Sequence, residues 1–538
     1  MANPQSSSTS TAEKDKKNGT GGKKNTQLLA ELEQMATAPP PEHRESPGKA
    51  LLQLVVFLAL LGGAGGAYYV YAKSAGAIFE ALKDSRDIQR QDDYEKLKEA
   101  HGKLKAATAI KSEGRVVSLL AETSVLLWCF HGDESFKEDA IKYTDEAASD
   151  DVARAERYSA EGYRMACEGK AAEAEAYMMK TIQRGAGDPR IFHALGYALL
   201  QQGRTQEARE AFKQASDKGA GNPRFPAWLG EAEVRLGNYF DAQQQFSRAV
   251  NINGSHTRAR LGKALAEGLG GVSPEKILKD VEKLIKGPPE LSPGDKAYAS
   301  YVAAEVLAKA GALSAAEKAL GQPKDGPGHL LRGRILLLKG KEADATKAFD
   351  EAIKVEPANP NNYFIPASML SEMDKGDAAL ARVQAYQKAK LTETPHYFAH
   401  LGDAHQARGK VEEAAAAYKQ ALDKDENNVR AIIGTARLLV EKKKWEEAGQ
   451  LFEKVTTLQP DNGDPWYFMC GAYIEQKDFN YASQMCDKSV ELYKKRNAEP
   501  RYVVRALKRA AKAYELNKNK AESQKRAQEA EALEKAAG

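Results

Sequence analysis

Three histidines, His396, His400 and His405, form the one histidine cluster of this 538-residue sequence. His396 and His400 stand four apart, on one face of a helix, and Asp403 follows three residues after His400, a spacing that admits a divalent cation. The competing reading is packing: in the helical phase developed below, His405 takes a slot between helices while His396 and His400 line a groove. On that reading the three side chains diverge and no metal is held. The four cysteines, Cys129, Cys167, Cys470 and Cys486, contain no C-x-x-C pair, so neither a structural zinc site nor a thioredoxin-type motif is indicated. No nucleophile elbow, P-loop, H-E-x-x-H pair or dinucleotide fingerprint appears. The glycine-rich Gly62 to Gly66 stretch lies inside an apolar run rather than between a strand and a helix. The expectation is a protein without catalysis, cofactor or resident metal.

Charge narrows the partners. With 79 Lys and Arg against 75 Asp and Glu, the formal charge is only +4, which excludes a globally basic nucleic-acid binder and a strongly acidic disordered chain. The elements that remain must therefore supply a binding surface.

One element is a membrane candidate. Residues 50 to 72 run uncharged between Lys49 and Lys73, 23 residues in all. That length suffices to cross a hydrocarbon core of about 30 Å, and Tyr68, Tyr69 and Tyr71 at its end suit a headgroup interface. The run starts too late and is too long for a typical signal peptide, so an uncleaved anchor is expected. Gly62/Gly66 and Gly63/Ala67 make small-xxx-small faces that permit a homodimer through the span. Lysines concentrated in the short tail favour tail inside and bulk outside the cytoplasm. Residues 1 to 49, rich in Ser, Thr, Gly, Lys and Pro, are expected to be disordered, with a short amphipathic stretch at Leu28, Leu29, Leu32 and Met35.

The body repeats with a period of 34: Gly162, Gly196 and Gly230, then Ala174, Ala208 and Ala242, then Met178, Phe212 and Phe246. A second block carries Gly402, Ala436 and Cys470, with Ala414, Ala448 and Ala482, and with Tyr418, Phe452 and Cys486. Each unit reads as two helices, small residues permitting close approach and an aromatic filling the gap to the next unit. Gly169, Gly203, Gly237 and Gly409 fall in the turns, where a helix end favours positive φ. The phase places Cys470 and Cys486 on facing helices of one hairpin, packed as thiols or, if their Cα atoms lie within about 7 Å, bridged as a disulfide. Cys129 and Cys167 have no evident partner.

Segments such as LGYALLQQG and EAREAFKQA (195 to 215), or LGDAHQARG and EAAAAYKQA (401 to 421), resemble the tetratricopeptide repeat family. The resemblance covers most of residues 78 to 496 and implies an all-α fold, a right-handed α-solenoid preceded by a single transmembrane helix. The expected organisation is a tail at 1–49, the span at 50–72, degenerate helical repeats at 73–154, a first repeat block at 155–256, degenerate or interrupted repeats at 257–394, a second block at 395–496 and a capping helix at 497–538. PPELSPGD (288 to 295) and QPKDGPG (322 to 328) are expected breaks between sub-solenoids. In such a fold the first helices line a groove that takes protein partners, and the candidates are Tyr163, His193, Tyr197 and Leu200 in the first block and Ile433, Arg437, Val440, Tyr467 and Ile474 in the second. Where some family members carry a Lys/Asn clamp for a chaperone's terminal carboxylate, this chain has Tyr163, Tyr197, Asp403 and Arg437.

Residues 494 to 526 carry twelve basic against three acidic side chains, read as a solvated cap or as a surface for an anionic partner. The resemblance implies a membrane-anchored scaffold that assembles an envelope, secretion or motility complex, with the solenoid on the periplasmic side of a bacterial inner membrane. The alternative is a receptor of the mitochondrial outer-membrane import type, with cytosolic repeats binding precursor or chaperone segments.

Overall fold

The computed structural model describes residues 47–150, 152 and 154–537. The expectations for residues 1 to 46 lie outside the described residues. Among those described there are 26 α-helices and no strand. The chain divides into two compact units, Met1–Lys73 and Ser74–Gly538.

In the first unit, the helix that starts at Pro47 carries the apolar run, and an 18-residue window of this helix reaches a mean hydropathy of 1.8, long and apolar enough to cross a membrane. Its large side chains from Leu51 to Tyr71 are exposed, as lipid-facing groups would be. A Cβ at Gly62, Gly63 or Gly66 would meet nothing within 4 Å, so this small-residue face is open.

The second unit begins with a buried stripe at Ile78, Ala81, Ser85 and Gln89, whose spacing follows one helix face. Helices Tyr94–Ile110 and Gly114–Val125 follow, the latter running into a π-helical turn at Leu126–Phe130 before Lys137–Ala148. From Ala155 onward the chain is a series of eleven helical hairpins, from Ala155–Cys167 with Ala171–Gln183 to Pro500–Leu516 with Lys520–Ala537. The unit is an α-solenoid, each hairpin burying its apolar faces against its neighbours.

The 34-residue phase has a definite packing cause. A Cβ at Gly196 would come within 2.7 Å of the Phe212 ring, and one at Gly402 within 2.4 Å of the Tyr418 ring. The small residue of the first helix therefore seats the aromatic of the second, which is buried in each case. The turns repeat too: Gly203 and Gly409 both have φ +71°, and at the equivalent positions Asp374, Lys443 and Lys477 adopt φ of 57°, 60° and 64°. Helix starts are capped by side chains, as where Asp188 accepts from the Arg190 N–H ahead of Pro189, and Thr394 from the Tyr397 N–H.

Two expectations are corrected. The stretches at 288–295 and 322–328 do not interrupt the core, because one apolar cluster joins Leu261 through Val306 and another joins Ala304 through Ile335. The stretch expected as one capping helix forms a hairpin instead, Pro500–Leu516 with Lys520–Ala537. Asn517-Lys518-Asn519 breaks the Ala/Lys/Glu run, with Lys518 at φ 60° and the Asn519 side chain accepting from the Glu522 N–H.

Candidate functional site: two inner faces

The first helices of the first block, Ala155–Cys167, Pro189–Gln201 and Arg224–Arg235, do not present an open groove. The π-helical turn delivers Phe130 onto them, its ring 5.1 Å from Tyr163, 4.8 Å from Tyr197 and 5.3 Å from Trp228. Tyr163, His193, Tyr197 and Leu200 are consequently buried, at 0%, 0%, 7% and 1% exposure. The expected groove residues of this block are core residues, because the chain itself occupies the face. His193 and the Tyr163 hydroxyl share a 2.8 Å hydrogen bond, and burial together with the nearby Arg224 charge holds the imidazole well below its usual pKa, hence neutral.

A buried ion cluster pins the same region. Arg224 donates to Asp92 at 2.9 Å through Nε, and His256 Nε2 lies 3.1 Å from the other Asp92 oxygen. Burial disfavours the charged carboxylate, yet the Arg224 charge and the His256 hydrogen bond outweigh it and hold the Asp92 pKa well below the ordinary range. Asn253 donates to the Gln91 carbonyl at 2.6 Å, and the Gly294 N–H donates to the His131 carbonyl at 2.7 Å. Residues 91–93 and 130–131 are thus held by side chains of the first block and by the backbone at the start of helix Pro293–Lys309. Cys129, next to Phe130, pairs with Cys167, the Cα atoms 6.1 Å apart.

The second block differs. Ile433, Arg437, Val440, Tyr467 and Ile474, on helices Val429–Glu441 and Asp464–Glu475, are all partly exposed. Positions 433, 437 and 440 follow one helix face, and Val440 packs at the edge of the Ala436, Ala448 and Phe452 cluster. The Arg437 guanidinium lies 5.0 Å from the Phe468 ring centroid. From the following helix, Pro500–Leu516, Arg505 and Arg509 reach over the Tyr467 ring at 4.6 and 3.7 Å. Both arginines lie in the basic 494 to 526 stretch, and their four-residue spacing marks one helix face. Ile474 packs beside Cys470 and Cys486, whose Sγ atoms are 2.04 Å apart and whose Cα atoms are separated by 5.2 Å.

The histidines are dispersed. His400 is buried against Phe364, ring centroids 4.7 Å apart, and burial plus the Arg430 charge keep its pKa well below the usual value. Asp403 is taken by the Tyr418 hydroxyl at 2.7 Å and by Arg430 at 2.6 Å, while His396 faces Asn428 at 3.5 Å. Among the described residues no group of three or more His, Cys, Asp or Glu is arranged to hold a metal ion.

Comparison with known proteins bears on the repeats. Two tetratricopeptide repeat models match, one at residues 168–223 and 400–464, the other at 199–266 and 439–507. Among solved structures, the chain is similar to yeast Tom70 at 16% identity and a TM-score of 0.39, covering 82% of this chain and 96% of that one. It is also similar to the Cut9-Hcn1 hetero-tetramer of the APC/C at 14% identity and a TM-score of 0.33, covering 83% and 95%. The matched stretches coincide with the two blocks whose Gly-to-aromatic seats set the phase, so these two stretches of the chain are tetratricopeptide repeats.

Proposed function

We propose that this protein is a membrane-anchored scaffold that recruits a protein partner through the inner face of its second repeat block. A tetratricopeptide repeat solenoid is a protein-binding scaffold, and the observation that carries the choice of face is exposure. The first block's inner face is filled by Phe130, whereas Ile433, Arg437, Val440, Tyr467 and Ile474 stay partly exposed. Partly exposed aromatic and arginine side chains over an apolar floor are the groups that anchor protein interfaces. Leu51–Gln89 supports the anchor by length and composition. Assembly of an envelope, secretion or motility complex is the role this arrangement would serve.

In this reading the solenoid lies in an oxidising compartment, as on the periplasmic side of a bacterial inner membrane, where Cys129 with Cys167 and Cys470 with Cys486, their Cα atoms 6.1 and 5.2 Å apart, can close as disulfides. A cytosol-facing import receptor would instead keep the same cysteines as thiols. Alkylation of intact cells followed by mass measurement separates the two: no thiol reacts before reduction in the first case, all four after mild denaturation in the second. The partner claim is tested by affinity capture from solubilised membranes with the full chain. Tyr467→Ala/Ile474→Ala should lose the co-purifying polypeptides, and undiminished capture would overturn the choice of face.

A further inference from the structure

Arginines on the inner side of the second unit are mostly neutralised by carboxylates. Arg334 meets Glu305 at 3.0 Å, Arg430 meets Asp403 at 2.6 Å and Arg501 meets Glu499 at 2.8 Å. Two are not. Among the described residues, Arg437 has no ion pair or hydrogen bond, only the Phe468 ring, and Arg509 has the Tyr467 ring and one hydrogen bond of 3.0 Å to the Tyr467 carbonyl. Between them, Arg505 shares Asp464 at 2.9 Å with the Tyr493 hydroxyl, and its Nε is buried without an acceptor.

Stacking on a ring is compatible with further recognition. A guanidinium laid over an aromatic face keeps its N–H edges in its own plane, pointing outward, the geometry that receives a carboxylate in bidentate fashion. Gly471 contributes to this placement, since a Cβ there would come within 3.1 Å of Arg509 Nη1. The crowding is felt: burial foremost, then the charges of Arg505 and Arg437, lower the pKa of Arg509. Three guanidiniums gathered around Tyr467 and Phe468 with one carboxylate among them leave an excess of positive charge, and Val440 and Ile474 supply apolar surface on the same two helices.

We propose that this cluster is the docking point for an acidic segment of the partner, in which carboxylates pair with Arg437 and Arg509 while neighbouring apolar side chains rest on Val440 and Ile474. The assignment rests on the reading of the second block as the partner face and names the chemistry of what binds there. The occupant is a polypeptide rather than a headgroup surface, because the arginines are only partly exposed and sit among apolar side chains that a phosphate alone would leave unused.

The test uses the full chain in detergent micelles and fluorescence anisotropy of a labelled Glu/Leu peptide, beside its Gln/Leu counterpart. The Glu/Leu peptide should bind more tightly by about tenfold or more, weaken as salt is raised, and lose about tenfold on Arg437→Gln or Arg509→Gln with the unfolding midpoint unchanged. Lys347→Gln, a mostly exposed lysine elsewhere, should change nothing. Equal affinity for the two peptides, or indifference to both arginine variants, would overturn the proposal. So would competition by inorganic phosphate or phosphatidylglycerol vesicles as effective as that by unlabelled peptide. If acid preference fails while Tyr467→Ala/Ile474→Ala still abolishes capture from membranes, only the acidic class falls. If both fail, the choice of face falls with it.

Discussion

The two repeat blocks share a phase and a packing rule yet differ in what lies on their inner faces. In the first, Phe130 and the Asp92 corner have been laid across the first helices, so Tyr163, His193 and Tyr197 serve the core. In the second, the equivalent side is lined by Arg437, Tyr467 and the arginines of Pro500–Leu516, and it stays partly exposed. One inner face of a repeat fold can thus be filled by the chain itself while another stays partly open.

The contrast is broken most severely at the ion cluster. Asp92→Asn leaves the buried Arg224 without its counter-charge and should cost about 3–5 kcal/mol in denaturant unfolding. Because the Asp92 pKa is held below its unfolded value, the stability it brings is present above the ordinary carboxylate pKa of about 4 and is lost as pH falls below it. The wild-type loss on acidification should therefore be steeper than that of Asp92→Asn.

Phe130→Ala comes next, with an expected loss of about 3 kcal/mol from the vacated volume. It should also unveil the first block: Tyr197 and Trp228, protected from hydroxyl-radical oxidation in the wild type, become reactive. Ala448→Leu probes the layer behind the open face. Ala448 is 1% exposed beside Phe452, and overpacking there should destabilise the fold by about 1–3 kcal/mol. Tyr467→Ala is the gentlest for stability, a change below about 1 kcal/mol for a partly exposed side chain, while binding of the partner weakens by about 1–3 kcal/mol.

Much of this was legible in the residue pattern. The Gly196 to Phe212 and Gly402 to Tyr418 seats recur at fixed spacing because each is a local contact within one hairpin, and local contacts leave a periodic trace. Cys470 and Cys486 were placed facing each other for the same reason, only 16 residues apart in one hairpin. What the phase could not reveal is the occupant of a groove. Phe130 comes from outside the clear repeats, and Asp92 meets Arg224 across 132 residues, so neither follows a period. Cys129 and Cys167 escaped likewise, joining a π-helical turn to a repeat helix. The terminal Ala/Lys/Glu run read as one helix because its composition favours helix throughout; only the left-handed turn at Lys518 divides it. Arg505 and Arg509 lie in a basic stretch that reads as a solvated cap or a surface for an anionic partner, since charge alone does not distinguish a guanidinium over the Tyr467 ring from one in water.

The claim that one face is closed and the other receives the partner is tested most directly by a photoreactive benzoylphenylalanine placed at Tyr197 or at Ile433 of the full chain in its host cell. Illumination should give an intrachain adduct to residues 126–132 from position 197 and an adduct to a second polypeptide from position 433. A second polypeptide captured at 197, or none at 433, would contradict it.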